Sequence, residues 1–208
     1  MKKQYLICFF TFFLLLSNCS INKSNPKESA ERILKEMEIW QQFRIEGIVT
    51  ISENNLSLVK NINISRDLQQ LKVILYDTGI FGFSPQPFAK IVISDSIQVV
   101  IPSLEDSQGV NEIKKFVAGL DILYSGFLTD EELSKNISKI SKTRKFENKS
   151  KYLEFNKKFQ LTSVKLKEYP IRLEIDREFS DLPKEIDIFY ENKLTVAIDI
   201  DRFNCEND

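Results

Sequence analysis

From Arg44 to Asp201, apolar residues recur at every second position in segment after segment, and only one helical interval breaks the pattern. Period two puts alternate side chains on opposite faces of an extended strand, so each segment has one face to bury. Arg44–Ser52 alternates around Ile45, Gly47, Val49 and Ile51, and Leu56–Arg66 through Leu58, Ile62 and Ile64, with Asn54-Asn55 as the turn between them. Gln70–Thr78 carries Leu71, Val73 and Leu75 on one face, and Ala89–Ser94 and Ile97–Ile101 form a hairpin about Asp95-Ser96. Strands resume at Lys145–Asn148, Lys151–Asn156, Phe159–Lys167, Ile171–Arg177, Glu185–Glu191 and Leu194–Asp201, with a tight turn at Asn192-Lys193. In the last of these, Leu194, Val196, Ile198 and Ile200 face inward and Asp199 and Asp201 outward. Short turns throughout predict an antiparallel meander.

Three helical stretches accompany the strands. Asn25-Pro26 reads as N-cap and first helical residue of a helix running to about Phe43, with Ala30, Ile33, Met37 and Trp40 on one face. Val110–Tyr124 spaces Ile113, Phe116, Val117, Leu120, Leu123 and Tyr124 by three and four. Thr129-Asp130-Glu131-Glu132 is a capping box that opens a helix to about Ser141, with Leu133, Ile137 and Ile140 on one face. Two helices inserted between two runs of strands are expected to pack on one face of a single sheet, an α+β arrangement of about eleven strands.

The first twenty residues follow a different logic. Lys2 and Lys3 precede an apolar run from Tyr5 to Leu16, which ends in Leu16-Ser17-Asn18-Cys19. A positive flank, a short apolar core and small residues before a cut site predict a secretory signal over residues 1–18. Leu-Ser-Asn-Cys resembles the lipobox of bacterial lipoproteins, although Asn18 departs from the usual Ala or Gly. That resemblance implies a diacylated Cys19 as mature N-terminus, followed by a tether over residues 19–25 and one domain over 26–208. Several acyl chains would hold the protein firmly to a membrane. By analogy with sorting in Gram-negative bacteria, Ser20 favours the outer membrane, with the body in the periplasm.

The mature chain of about 190 residues suffices for one domain with a real core. No later apolar run reaches membrane-spanning length. Cys8 leaves with the signal and Cys19 is expected to be acylated, so only Cys205 remains as a thiol and no internal disulfide can form.

Between the third and fourth strands lies Gly79–Phe88, which holds two glycines, two prolines and the apolar residues Ile80, Phe81, Phe83 and Phe88. An apolar loop has two readings. It meets a membrane or partner, or it folds back to cap the core.

The element order behind a lipobox resembles the fold of the periplasmic lipoprotein carrier, its outer-membrane receptor and their uncharacterised lipoprotein relatives. In that fold a curved antiparallel sheet of about eleven strands forms an open half-barrel, with helices across its concave face and acyl chains between. The resemblance implies that Gly79–Phe88 protrudes toward the membrane, as a loop in that place does in the receptor. It also implies an apolar cavity, for which Trp40, Phe116, Leu120, Leu123, Tyr124 and Phe127 are the lining candidates. The expected ligand is an acyl chain or a lipidated protein, with no cofactor and no nucleic acid. A filled core serving as an interaction module for an envelope protein partner is the alternative.

Catalytic chemistry finds little support. The chain has no histidine, no glycine-flanked serine nucleophile and no phosphate-binding glycine loop. Glu174/Asp176, Glu185/Asp187 and Asp199/Asp201 each place two carboxylates on one strand face, as alternating strands with a wet face routinely do. No catalytic or metal residues are therefore assigned. Charge is segregated. Lys135–Lys167 holds eleven Lys or Arg against two acids, and Glu168–Asp208 twelve acids against five basic residues. Cross-strand pairing of the two blocks is the favoured reading, and a basic surface for anionic head groups the other.

Overall fold

The computed structural model describes residues 26–53, 56–77, 86–100, 117, 119–178 and 180–205. The signal, Cys19, the tether, Ile80, Phe81, Phe83 and Phe116 lie outside the described residues. Eleven antiparallel strands form one open sheet: β1 (Phe43–Glu53), β2 (Leu56–Arg66), β3 (Leu71–Tyr76), β4 (Pro87–Ile93), β5 (Ile97–Val100), β6 (Lys145–Glu147), β7 (Lys151–Phe155), β8 (Leu161–Leu166), β9 (Ile171–Asp176), β10 (Glu185–Tyr190) and β11 (Lys193–Cys205). Their spatial order is β5-β4-β3-β2-β1-β11-β10-β9-β8-β7-β6. Two meanders therefore join at one seam, where β1 pairs with β11. The sheet is unclosed and curved, a half-barrel.

Three helices lie against its concave face: α1 (Pro26–Gln41), α2 (119–125) and α3 (Asp130–Thr143). Their apolar stripes join the inward residues of the strands in one contiguous core. The capping box of α3 forms in full, with Glu132 N donating to the Thr129 hydroxyl and Thr129 N to the Glu132 carboxylate. Its C-terminus closes on Arg144 in the left-handed region, φ 56°.

The predicted faces need three corrections. A bulge at Thr195 in β11 sets Leu194 opposite Phe189, off the inward face, and leaves it 44% exposed. The buried stripe of α1 is Ser29, Ile33, Glu36, Met37 and Trp40, so two polar positions go inward and Ala30 sits at its margin. In β11, Glu46 pairs with Arg202 but Gly47 with Ile200, which leaves Asp201 as the extra residue of a bulge. The strand then continues to Cys205 instead of stopping at Asp201. The apolar loop is also shorter than expected, because Pro87 and Phe88 already belong to β4. Proline is tolerated as the first residue of a strand.

Candidate functional site

On the β1–β5 half, cross-strand register arranges the concave face in rows. The first row is Phe43, Arg66, Leu71, Ile93 and Ile97; the second is Ile45, Ile64, Val73, Ile91 and Val99. Further along come Gly47, Ile62, Leu75 and Ala89, then Val49 beside Lys60, then Ile51 beside Leu58.

One end of this surface is solid. Trp40 stacks on Phe127 at 4.9 Å and meets Phe43 and Phe203 edge-on at 5.7 and 5.8 Å. Trp40, Leu120, Leu123 and Phe127 are all buried. Arg66 lies beneath them, donating to the carbonyls of Trp40 and Tyr124, with its guanidinium 5.1 Å from the Phe127 ring. Burial pulls the Arg66 pKa down to about 10. Tyr124 is half-buried and donates its hydroxyl to the Gln69 carbonyl at 3.1 Å.

Exposed apolar side chains remain at two separate places on this face: Leu58, 38% exposed, at the far end of β2, and Ile97 and Val99, 51% and 40% exposed, on the edge strand β5. Both stems of the apolar segment lie toward the Leu58 end: Asp77 N donates to the Gln86 carbonyl at 3.1 Å, and Phe88 packs against the core. Lys60 touches both stems. Its ammonium pairs with the Asp77 carboxylate and sits 4.5 Å above the Phe88 ring.

The structure thus separates the residues singled out by sequence. It gathers Trp40, Leu120, Leu123 and Phe127 into the filled end and places Phe88 apart from them, half-buried under Lys60. Leu58, Ile97 and Val99 were legible only as members of the inward face. Lys60 was missed, yet its parity was visible, since it occupies an inward position between Leu58 and Ile62.

The convex face carries the charge. Lys145 pairs with Glu154 at 3.5 Å and Lys167 with Glu147 at 2.7 Å, so the two acids inside the basic block neutralise part of it. The acids beyond Glu168 instead face one another. Asp187 is opposite Glu174, and Glu185 lies between Asp176 and Asp199. Glu174, Asp176, Glu185 and Asp187, with Thr162 and Ser163, line a cleft of about 400 Å³. Among the described residues no group of three or more His, Cys, Asp or Glu is placed to hold a metal ion. Burial, then neighbouring carboxylates, raise the pKa values of Glu185 and Asp187. A carboxylate raised in the folded state penalises folding above its folded pKa, and the penalty is relieved as pH falls through that value. Asp187→Asn is therefore expected to stabilise by a few tenths to about 1 kcal/mol near neutral pH and low salt. The gain should shrink in high salt and toward about pH 4. Urea unfolding at the two pH values checks it, and destabilisation at neutral pH would contradict it.

No protein-family model matches this chain, and no curated protein matches it. No helix among the described residues is long and apolar enough to cross a membrane.

Proposed function

We propose that this chain is an outer-membrane lipoprotein whose half-barrel receives an acyl chain, from a lipid or a lipidated protein, and assists its placement in the membrane. The observation that supports this reading most is the exposed apolar pair Ile97 and Val99 on the inward face of the edge strand β5. An acyl chain laid along β5 would cover Ile97 and Val99, each buried methylene contributing about 0.8 kcal/mol. The lipobox-like Leu16-Ser17-Asn18-Cys19 would hold the body at the bilayer, and Ile80, Phe81 and Phe83 would touch it.

The test uses residues 20–208, which include every described element, and monolaurin as probe. Ile97→Asp and Val99→Asp are each expected to weaken binding about tenfold, the effect of losing roughly two methylene contacts. Leu68→Asp, in the exposed turn between β2 and β3, should leave binding unchanged. Replacing Phe81 and Phe83 with glutamate should abolish delivery of the probe to vesicles. Equal binding by all these variants would refute the site.

A second reading is favoured by one observation, the solid packing of Trp40, Leu120, Leu123 and Phe127. The same fold would then serve as a lipid-free interaction module for an envelope partner. Stoichiometric capture of one protein, with no lipid co-purifying, would select it.

A further inference from the structure

Strand register gives the sheet two unlike ends. The end remote from Phe43 gathers the β1–β2, β6–β7, β8–β9 and β10–β11 turns and both stems of segment 78–85. Backbone bonds tie three of these turns into one rim. Lys167 N–H donates to the Ser150 carbonyl at 2.7 Å, and Glu191 N–H to the Pro170 carbonyl at 2.9 Å. Tyr169, 57% exposed, and Leu194, 44% exposed, stand on this rim. On the convex face the charge changes sign along the strands. Beside the rim Lys165 is opposite Arg172, and Lys149 and Lys167 are exposed in the turns. Toward the other end Glu185 lies between Asp176 and Asp199. Glu147, Glu168 and Glu191 also belong to the rim, Glu147 paired with Lys167, and they temper its positive charge without reversing it.

We propose that this rim rests on an anionic bilayer surface, with Tyr169 and Leu194 entering the headgroup region and Lys149 and Lys165 meeting lipid phosphates. The inference rests on the membrane-anchored reading above and extends its bilayer contact from segment 78–85 to the turns of the second meander. A tyrosine and a leucine among lysines suit the headgroup level, where apolar groups sink toward the acyl chains and ammonium groups stay with the phosphates. Contact points spread over the tips of neighbouring strands match a plane and not a pocket. The sign change along the strands sets the orientation, since an anionic surface attracts the rim and repels the carboxylates at the other end. Leu68 and Leu182 are exposed at that other end, but each follows an aspartate, Asp67 or Asp181. A tether over residues 19–25 reaches at most about 25 Å, so the body of an anchored chain stays beside the bilayer and a weak contact suffices.

The experiment uses residues 20–208 and vesicles of phosphatidylcholine with and without phosphatidylglycerol. The chain is expected to sediment with the anionic vesicles. Lys149→Gln combined with Lys165→Gln should weaken that binding about 25-fold, about fivefold for each lysine. Lys72→Gln combined with Lys90→Gln, on β3 and β4, should leave it unchanged. An environment-sensitive dye attached to Tyr169→Cys or Leu194→Cys, in a Cys205→Ser background, should shift its emission to the blue on the anionic vesicles. The same dye on Leu68→Cys or Leu182→Cys should not. Equal binding to both vesicles, binding that survives the paired lysine variant, or an equal dye response at the two ends would overturn the proposal. Monolaurin binding is measured on the same samples. A native chain that binds the anionic vesicles by its rim but not monolaurin would refute the acyl site and leave the rim standing.

Discussion

Replacing Glu36 with alanine is expected to destabilise the fold by about 3–5 kcal/mol, the range for removing one partner of a buried ion pair. Glu36 lies inside the α1–sheet interface and gathers three donors on one oxygen. They are the Arg177 guanidinium, Trp40 Nε1–H at 2.8 Å and Leu161 N–H at 3.0 Å. The Glu36 and Arg177 side chains are 5% and 6% exposed. Alanine would leave a buried cation without its counter-charge, held among the described residues only by the Asp181 carbonyl, and two buried N–H groups without an acceptor. Burial pushes the Glu36 carboxyl above its ordinary value, against the pull of Arg177, and it lowers that of Arg177 in turn. The pair therefore fixes where α1 sits more than it adds net stability. Glu36→Leu combined with Arg177→Met should recover most of the loss, short of about 1 kcal/mol for each orphaned N–H. Urea midpoints of the single and double variants decide this. A single-variant loss below about 1 kcal/mol, or a double variant as unstable as the single, would contradict it.

The second large effect belongs to Gly47, at the seam of the two meanders. A Cβ there would fall inside the contact radius of the Asp199 carbonyl oxygen, 3.0 Å from its carbon and 3.2 Å from Ile200 Cα. All three are backbone atoms, so no side chain can rotate away. The close approach arises at the β11 bulge, where one extra residue draws the strands together. Gly47→Ala must therefore spread β1 from β11, at a cost of about 3 kcal/mol or more. For a chain of this size that is a fall in Tm of about 6–12 °C. Calorimetry measures it, and amide exchange should accelerate first in β1 and β11. A shift under about 2 °C would show that the seam relaxes without strain.

Much of the fold was legible because alternation is a strong signal wherever one face is buried. Leu56–Arg66 has the bounds read from sequence, and Leu71, Val73 and Leu75 face inward as read. The capping box was legible for a similar reason, since its chemistry is local. What escaped depends on contacts between distant segments. Glu36 was passed over as polar, although it falls on the apolar stripe three residues after Ile33; its partner lies 141 positions away. Lys151 reads as a solvated strand charge, yet it is buried against Glu132 at 2.8 Å and the Phe127 carbonyl. The bulge at Asp201 is invisible to a period-two reading, which assumes an unbroken ladder. Phe159 was read as a strand residue. It instead takes a φ of 64° in a turn held by Asn156, its ring buried. In the site, sequence marked the large apolar residues but could not tell which were covered. Trp40 and Val99 both lie on inward faces, and only packing separates the buried one from the open one.

The most direct measurement of the central claim is native mass spectrometry of residues 20–208 produced in a periplasm, followed by lipid extraction of the same sample. The expected result is a co-purified acyl species that is lost when Val99→Trp covers the exposed inward face of β5. A clean apo mass, with no adduct on adding lauroyl lysophosphatidylglycerol or monolaurin, would contradict it and leave the packed interaction module as the reading that stands.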